Sequence, residues 1–346
     1  MKSPSEIQSI GTRSAAEGFG LRRSTGQVGA LTAPERRARA ALLALITGAL
    51  LIAFAPIFTK QAMVWGHIGP VTAAFWRTAL ATPLLLLALA GTEGKRRPRF
   101  ALRASQGEGK EAGRRSRASW YSVSPYLLIP GVLFAADLSF WHWSFQYTTV
   151  GNATLLGNAA SIFVGLAGWL WLHERFTWTF PVGVAAAFGG AALVMGASFS
   201  IDPHRVIGDG LALVTALFYA AYLLSIKQLR AHHSTLRVMA WSTAACAAVL
   251  LPLALLIERQ FFPTGLNAWM QLVALAWLCH AGGQGLIAYA LAHLPAGFSG
   301  VSLVVQPVGA VFLGWVILGE AMTPWQIAGA AVVLCGIALA RVGSKE

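Results

Sequence analysis

The chain has 346 residues, of which 56% are hydrophobic and 11% charged, and its formal net charge is +13. A soluble globular domain carries roughly 25% charged residues, so this composition excludes an ordinary water-soluble fold. The positive charge lies in loops and tails, which argues against a nucleic-acid partner and favours a lipid bilayer as the surrounding medium.

The first 40 residues are polar and basic and contain no apolar segment. They are predicted to form an unstructured tail. A second basic stretch, residues 92–119, separates the second and third apolar segments. If ten spans alternate, the tail and this loop lie on one side of the membrane, which the positive-inside rule makes cytoplasmic. Both termini are therefore predicted to be cytoplasmic.

Ten apolar segments follow the tail and fill the rest of the chain. A hydrocarbon core about 30 Å thick needs about 20 residues of helix. Continuous apolar runs without polar alternation predict helices and not barrel strands. The predicted spans are residues 41–60, 70–91, 124–146, 150–172, 178–198, 208–228, 237–257, 268–292, 296–318 and 323–341. The predicted fold class is therefore all-α and integral to a membrane.

Two halves of the chain repeat each other at an offset of 146 positions. Gly168 and Glu174 return as Gly314 and Glu320, and further glycines follow the same offset. Each copy has five spans, an odd number, so the second copy enters the bilayer from the opposite side. The repeats are predicted to occupy residues 41–199 and 208–341. Two inverted five-helix repeats are the plan of many secondary transporters.

These residues resemble the ten-helix EamA branch of the drug/metabolite transporter superfamily. The resemblance covers about residues 41–341. It is carried by segments 168–174 and 306–320, by the glycine-rich fifth and tenth spans and by residues 75–77, Phe-Trp-Arg. It implies a multi-pass protein of the bacterial inner membrane that exports small metabolites, most commonly amino acids. It also implies a cavity lined by spans 1, 3, 4, 6, 8 and 9.

One position departs from the family's pattern. Ser161 stands where the fourth span usually carries a proline, and its repeat mate in the ninth span is Pro307. Proline is a common cause of helix kinks. An interruption at this level is therefore expected in the ninth span and is in doubt for the fourth.

Asp137 is the one acidic residue placed deep within a predicted span, near the middle of the third. A charge at mid-bilayer costs about 2.5 to 3.5 kcal/mol, so such residues face the bundle interior and are often functional. Asp137 is predicted either to contact the cargo or couple export to proton movement, or to form a structural ion pair with Arg77, or to be an uncharged acid without a role. For Arg77 the structural pair is favoured, the alternative being contact with a cargo carboxylate.

Further cavity candidates are polar residues of the fourth, sixth, eighth and ninth spans, and ordinary helix packing or interhelical hydrogen bonding is the alternative for each. Gly283, the repeat mate of Asp137, is expected to leave room opposite the acid. The predicted cargo-binding residues are Asp137, Asn158, Ser161, Tyr219, Tyr222, Gln284 and Gln306.

Charged residues at the span ends have simpler explanations. Lys60 and Lys227 are predicted to anchor helix ends at opposite interfaces. Glu174 and Glu320 are expected to cap or bridge loops, with a part in gating as the alternative. Cys246, Cys279 and Cys335 lie apart within different spans. No disulfide, metal site or cofactor is therefore predicted.

The predicted function is a secondary transporter that exports a small metabolite by alternating access, with proton antiport as a hypothesis. One alternative is a membrane-embedded interaction or assembly protein, whose polar residues would lie at subunit contacts. Another is a carrier that imports or exchanges a different metabolite class. An enzyme is not expected, because the ionisable residues are scattered in depth and no catalytic motif is present. Cargo, coupling ion, direction and oligomeric state are left open.

Overall fold

The computed structural model describes residues 33–104, 124–148, 150–195, 205–318 and 322–345. Most of the predicted tail, part of the basic loop and Glu320 lie outside these residues. Helices stand at all ten predicted positions within the described part. The first half contains α1 (Ala33–Ile52, continuing as Ala55–Gly66), α2 (Pro70–Ala104), α3 (Ile129–Ser144), α4 (Val150–Gly157, continuing as Ala160–Leu170) and α5 (Thr179–Met195).

The second half repeats this plan. It contains α6 (Val206–Arg230), α7 (Thr235–Ile257), α8 (Leu266–Ala274, a π-helical stretch Leu275–Gln284, and Gly285–Leu291), α9 (Ala296–Ser302, continuing as Val305–Leu318) and α10 (Pro324–Gly343). Within the described residues, eight helices are long and apolar enough to cross a membrane, and the described part of α5 is apolar but shorter. Helix α3 has 16 residues and follows a short 3-10 turn, Pro125–Leu127.

Helix α2 runs past the predicted end of its span at residue 91. Its apolar part ends at Thr92, and the helix continues to Ala104 through a charged segment. Glu, Lys and Arg are good helix formers in water and favour this continuation, although Gly94 and Pro98 lie within the segment.

The two halves are inverted relative to each other, as their contacts show. A Cβ added to Gly183, early in α5, would lie 2.6 Å from the carbonyl oxygen of Gly336, late in α10. A Cβ on Gly190, two turns further along α5, would lie 2.7 Å from the oxygen of Gly329, early in α10. Helices α5 and α10 therefore run antiparallel. Because they are repeat mates, the two repeats have opposite orientations.

The other helix contacts follow the same two-fold relationship. Helix α2 packs against its mate α7, and α4 packs against its mate α9. Helix α1 packs on α8, and α3 packs on α6. The operation that exchanges the repeats carries α1 to α6 and α8 to α3, so these two pairs are equivalent. The halves thus interlock, and their shared core lies between them.

Both α4 and α9 are interrupted at equivalent levels. The break in α9 precedes Pro307, as expected, because proline has no N–H to continue the helix. The doubt about α4 is resolved in favour of a break there too. Asn158 Nδ2 donates to the oxygen of Thr154 (2.8 Å), and Ser161 Oγ donates to the oxygen of Asn158 (2.7 Å). These side-chain bonds compete with the helical backbone bonds and open the helix without proline.

The space expected beside Gly283 is filled, so that prediction is wrong. A Cβ on Gly283 would lie 2.8 Å from Ile52 of α1, and a Cβ on Gly48 would lie 2.7 Å from the Gly283 oxygen. The glycines of α1 and α8 therefore permit close helix packing, as small residues commonly do in membranes. They do not open a cavity.

The connection between α4 and α5 is a tight, ordered loop. His173 has φ of +54°, in the left-handed region. The next residues, Arg175–Phe176, pair antiparallel with Ser344–Lys345 after α10. Glu174 then reaches the start of α9, where its carboxylate accepts hydrogen bonds from the N–H groups of Ala296 (2.6 Å) and Gly297 (3.0 Å). Glu174 therefore caps a helix, as predicted.

We expect replacement of His173 with glycine to stabilise the protein by about 1 kcal/mol, because only glycine adopts this backbone conformation without a steric penalty. The repeat mate of His173 is already a glycine, Gly319. The measurement is the thermal unfolding midpoint in detergent. His67, at φ +53° after α1, offers an independent second site. A fall in the midpoint for both glycine variants would contradict the explanation.

Candidate functional site

A cavity of about 90 Å³ lies where the two halves meet. All six helices implied by the resemblance contribute to its wall, and α2 adds Arg77. The polar residues of the lining are Arg77, Asp137, Thr154, Asn158, Thr215, Tyr219, Gln284 and Gln306. About 10 to 15 Å³ of such volume is enough for one water molecule, so the cavity as described has room for several water molecules or a small polar group. A larger cargo would require the halves to move apart.

The cavity contains one buried cation and one buried acid. Arg77 is 3% exposed and Asp137 is 6% exposed. Both side chains line the same space, yet they are not in salt-bridge contact with each other within the described part of the chain. The Arg77 guanidinium instead lies 5.6 Å from the centre of the Phe134 ring, within the range of a cation–π interaction. The guanidinium and the carboxyl group therefore line one cavity without forming a direct ion pair with each other.

Several polar atoms of the lining have no partner in the protein. They are Arg77 Nε, Thr215 Oγ1, Gln284 Oε1 and Gln306 Nε2. Leaving a buried donor or acceptor unsatisfied costs about 1 to 3 kcal/mol, so such atoms are normally paired. Four of them around one cavity make this space suited to a polar ligand that could supply the missing bonds.

The two tyrosines of α6 have different surroundings. Tyr219 lines the cavity together with the amides of Gln284 and Gln306. Tyr222 lies one turn further along α6 and does not line the cavity. Its ring stacks on Phe134 with the centres 4.6 Å apart. Tyr219 is therefore a cavity residue, while the packing alternative describes Tyr222.

Asn158 and Ser161 border different spaces in the structure. Asn158 lines the cavity. Ser161 lies beyond the break in α4 and borders a different space, an apolar groove of about 860 Å³ between α4 and α5. This groove has no charged side chain in its wall, and Trp169 and Trp178 at its edge are exposed. Although it is larger than the central cavity, its position and apolar wall are those of a lipid-facing surface.

Two aromatic lining residues were not predicted from the sequence. Phe134 and Trp141 of α3 face the cavity together with Asp137 and Leu138. They lie three residues before and four residues after Asp137, which places all of them on one face of a helix. This spacing was the available signal, and the structure shows that this side of α3 faces the cavity.

Comparisons with known proteins were made for the whole chain. The EamA-like transporter family model matches residues 39–196 and 206–342. A probable terminal-alkyne amino-acid exporter of Streptantibioticus cattleyicolor is 29% identical over 198 residues, which cover 57% of this chain and 66% of that protein, just under two thirds. The pseudopaline exporter CntI of Pseudomonas aeruginosa is 28% identical over 222 residues, covering 63% of this chain and 75% of its own.

A solved crystal structure is also similar. It matches 88% of this chain and 97% of its own, with a TM-score of 0.69 and 17% identity. At this level of identity the similarity shows a shared fold and nothing about cargo.

Proposed function

Because the chain belongs to the EamA-like transporter family, we propose that it exports a small amino-acid-like metabolite across the plasma membrane by alternating access. The family makes the chain a multi-pass membrane transporter of small molecules and not an enzyme. The cargo class, the direction, the coupling ion and the cytoplasmic position of both termini are parts of the proposal.

The observation that carries the proposal is the pair of separated charges in the central cavity. Arg77 has an unpartnered Nε atom facing a space that also contains the Asp137 carboxyl. An α-amino acid carries a carboxylate and an ammonium group a few ångströms apart. We propose that Arg77 holds the carboxylate and Asp137 the ammonium group. Such charge-assisted hydrogen bonds are about twice as strong as neutral ones.

The remaining lining residues would bind the rest of the cargo. Asn158, Tyr219, Gln284 and Gln306 offer hydrogen-bonding groups from four helices. Phe134 and Trp141 supply aromatic surface for an apolar side chain. Binding sites for small molecules typically combine an apolar wall with a few placed polar groups, as here. Two relatives are named as exporters, one of them of an amino acid, which supports the direction and the cargo class.

The proposal is tested by export from living cells. Cells that overexpress the chain are loaded with a panel of amino acids, toxic amino-acid analogues and nucleobases, and efflux and growth protection are measured. We expect at least one zwitterionic compound to be exported and tolerated. Protection against nucleobases alone, with no zwitterion exported, would reject the cargo class.

Proton coupling through Asp137 is tested separately. In vesicles reconstituted with the full chain, cargo flux is measured with and without a pH gradient. If Asp137 carries the exchanged proton, Asp137→Asn is expected to abolish the stimulation by the gradient, because an amide cannot release a proton. If the variant kept both its efflux and its pH dependence, proton antiport through this residue would be discarded.

A further inference from the structure

The Glu174 carboxylate is the centre of a second polar cluster, far from the cavity. Its two oxygens accept hydrogen bonds from the N–H groups of Ala296 and Gly297. Lys227 Nζ lies 3.7 Å from Glu174 Oε1 and donates to the oxygen of Leu294 (2.7 Å). We call Glu174, Lys227 and residues 294–297 the Glu174 clasp. The clasp joins the two halves, since Glu174 belongs to the first repeat and the other members belong to the second.

The local sequence is arranged to hold this carboxylate. A Cβ on Gly168 would lie 2.7 Å from Glu174 Oε2, so glycine makes the space that the carboxylate occupies. The Phe176 ring stacks on Phe180 at 3.9 Å, and both rings lie against Gly297. The start of a helix favours an anion, because its N–H groups are free and its dipole is positive there. The repeated motif, residues 168–174, therefore positions the Glu174 carboxylate in the clasp.

The clasp closes the end of the bundle that the cavity does not reach. The cavity contacts Asn158, Tyr219 and Gln306, and Gln306 lies about 15 Å along α9 from Ala296 at a rise of about 1.5 Å per residue. Between these levels α4 and α9 are in close contact, with a Cβ on Gly300 reaching Val164 at 3.2 Å. A cargo can pass to this end only if the start of α9 moves away from α4 and from the α4–α5 loop.

We propose that the Glu174 clasp is the gate that holds this end of the carrier closed, and that it must break in each transport cycle. The proposal rests on the proposed function for alternating access. By the charge asymmetry of the loops, this end faces the cytoplasm. The repeat mate of Glu174, Glu320, lies outside the described residues, so the proposal concerns the clasp end alone.

The experiment measures opening directly and needs no cargo. Spin labels are placed at Trp171 and His293, on opposite sides of the clasp. The exposed Cys335 is replaced by serine so that it is not labelled. The full chain is reconstituted in lipid nanodiscs. Distances are recorded by pulsed electron spin resonance. Glu174→Gln is expected to raise the ratio of open to closed molecules about tenfold, because it removes the charge from two helix-capping bonds. Lys227→Met is expected to shift the ratio in the same direction.

A matched control exists at the opposite end of the bundle. The Glu258 carboxylate accepts hydrogen bonds from the N–H groups of Val71 (2.6 Å) and Thr72 (2.9 Å), so it also caps a helix of the other repeat. Glu258→Gln should not raise the ratio of open to closed molecules reported by the labels at Trp171 and His293. Unchanged distances in both Glu174→Gln and Lys227→Met, or an equal shift in Glu258→Gln, would overturn the gate. A failed search for cargo would weaken only the proposed function.

Discussion

Replacing Arg77 with glutamine is expected to weaken the binding of a carboxylate-bearing cargo by about 30-fold or more. Truncating one partner of a buried, hydrogen-bonded charge pair typically costs about 2 to 5 kcal/mol, and each 1.4 kcal/mol is tenfold in affinity. Arg77 is 3% exposed, so water does not replace the lost interaction easily. The side chain of glutamine is shorter and neutral, and it keeps a donor without the guanidinium charge.

The decisive measurement compares the cargo with its carboxamide analogue. Both ligands are titrated against the unaltered protein and against Arg77→Gln, which gives a double-mutant cycle between one side chain and one ligand group. We expect the unaltered protein to prefer the acid strongly and the variant to lose this preference. Equal weakening of acid and amide would show that Arg77 acts on the fold and not on the carboxylate.

A matched arginine controls for a general loss of positive charge. Arg230, at the end of α6, donates to the oxygen of Ala288 (3.2 Å) and does not line the cavity. Arg230→Gln should therefore leave the preference for the acid intact. The thermal unfolding midpoints of both variants, measured without ligand, separate folding effects from binding effects.

The fold was predictable because the bilayer leaves few choices. Apolar runs of about 20 residues must become helices, and an odd number of spans per repeat dictates inversion. The contact of Gly183 with Gly336 confirms that inversion. The helix ends were less predictable, because the apolar pattern shows where a helix leaves the membrane but not where it ends in water. Helix α2 therefore continues to Ala104 through a charged segment that the apolar pattern could not assign.

The interior of the bundle shows where sequence reasoning stops. Asp137, Gln284 and Gln306 were identifiable because a polar group in an apolar helix must face the interior. Phe134 carries no such mark, since an aromatic residue suits lipid and cavity equally well. The surroundings of Ser161 and Gly283 were harder to predict. Those of Ser161 depend on a break in α4 that accompanies its own bond to Asn158, and those of Gly283 depend on the approach of α1, a contact distant in sequence.

Replacing Gly190 with alanine is expected to destabilise the protein by about 3 kcal/mol, although alanine favours helices. A Cβ there would lie 2.7 Å from the oxygen of Gly329 and 2.7 Å from the nitrogen of Val333, and both are backbone atoms. A side chain could move aside, but a helix backbone must shift as a whole. Overpacking of this kind typically costs about 1 to 3 kcal/mol, and the rigid α5–α10 contact places this site at the upper end.

The neighbouring glycine is the matched control. A Cβ on Gly189 would have no atom within 4 Å, so Gly189→Ala removes helix-weakening flexibility without a clash. It should leave the free energy of unfolding unchanged or raise it by at most about 1 kcal/mol.

The repeat mate of Gly190 is Gly336, whose added Cβ would lie 2.7 Å from the Gly183 oxygen. If the two-fold relationship between the halves governs this interface, Gly336→Ala must cost about as much as Gly190→Ala. A large loss of stability in Gly190→Ala combined with none in Gly336→Ala would contradict that equivalence. Each position would then depend on its own surroundings and not on the shared packing of α5 and α10.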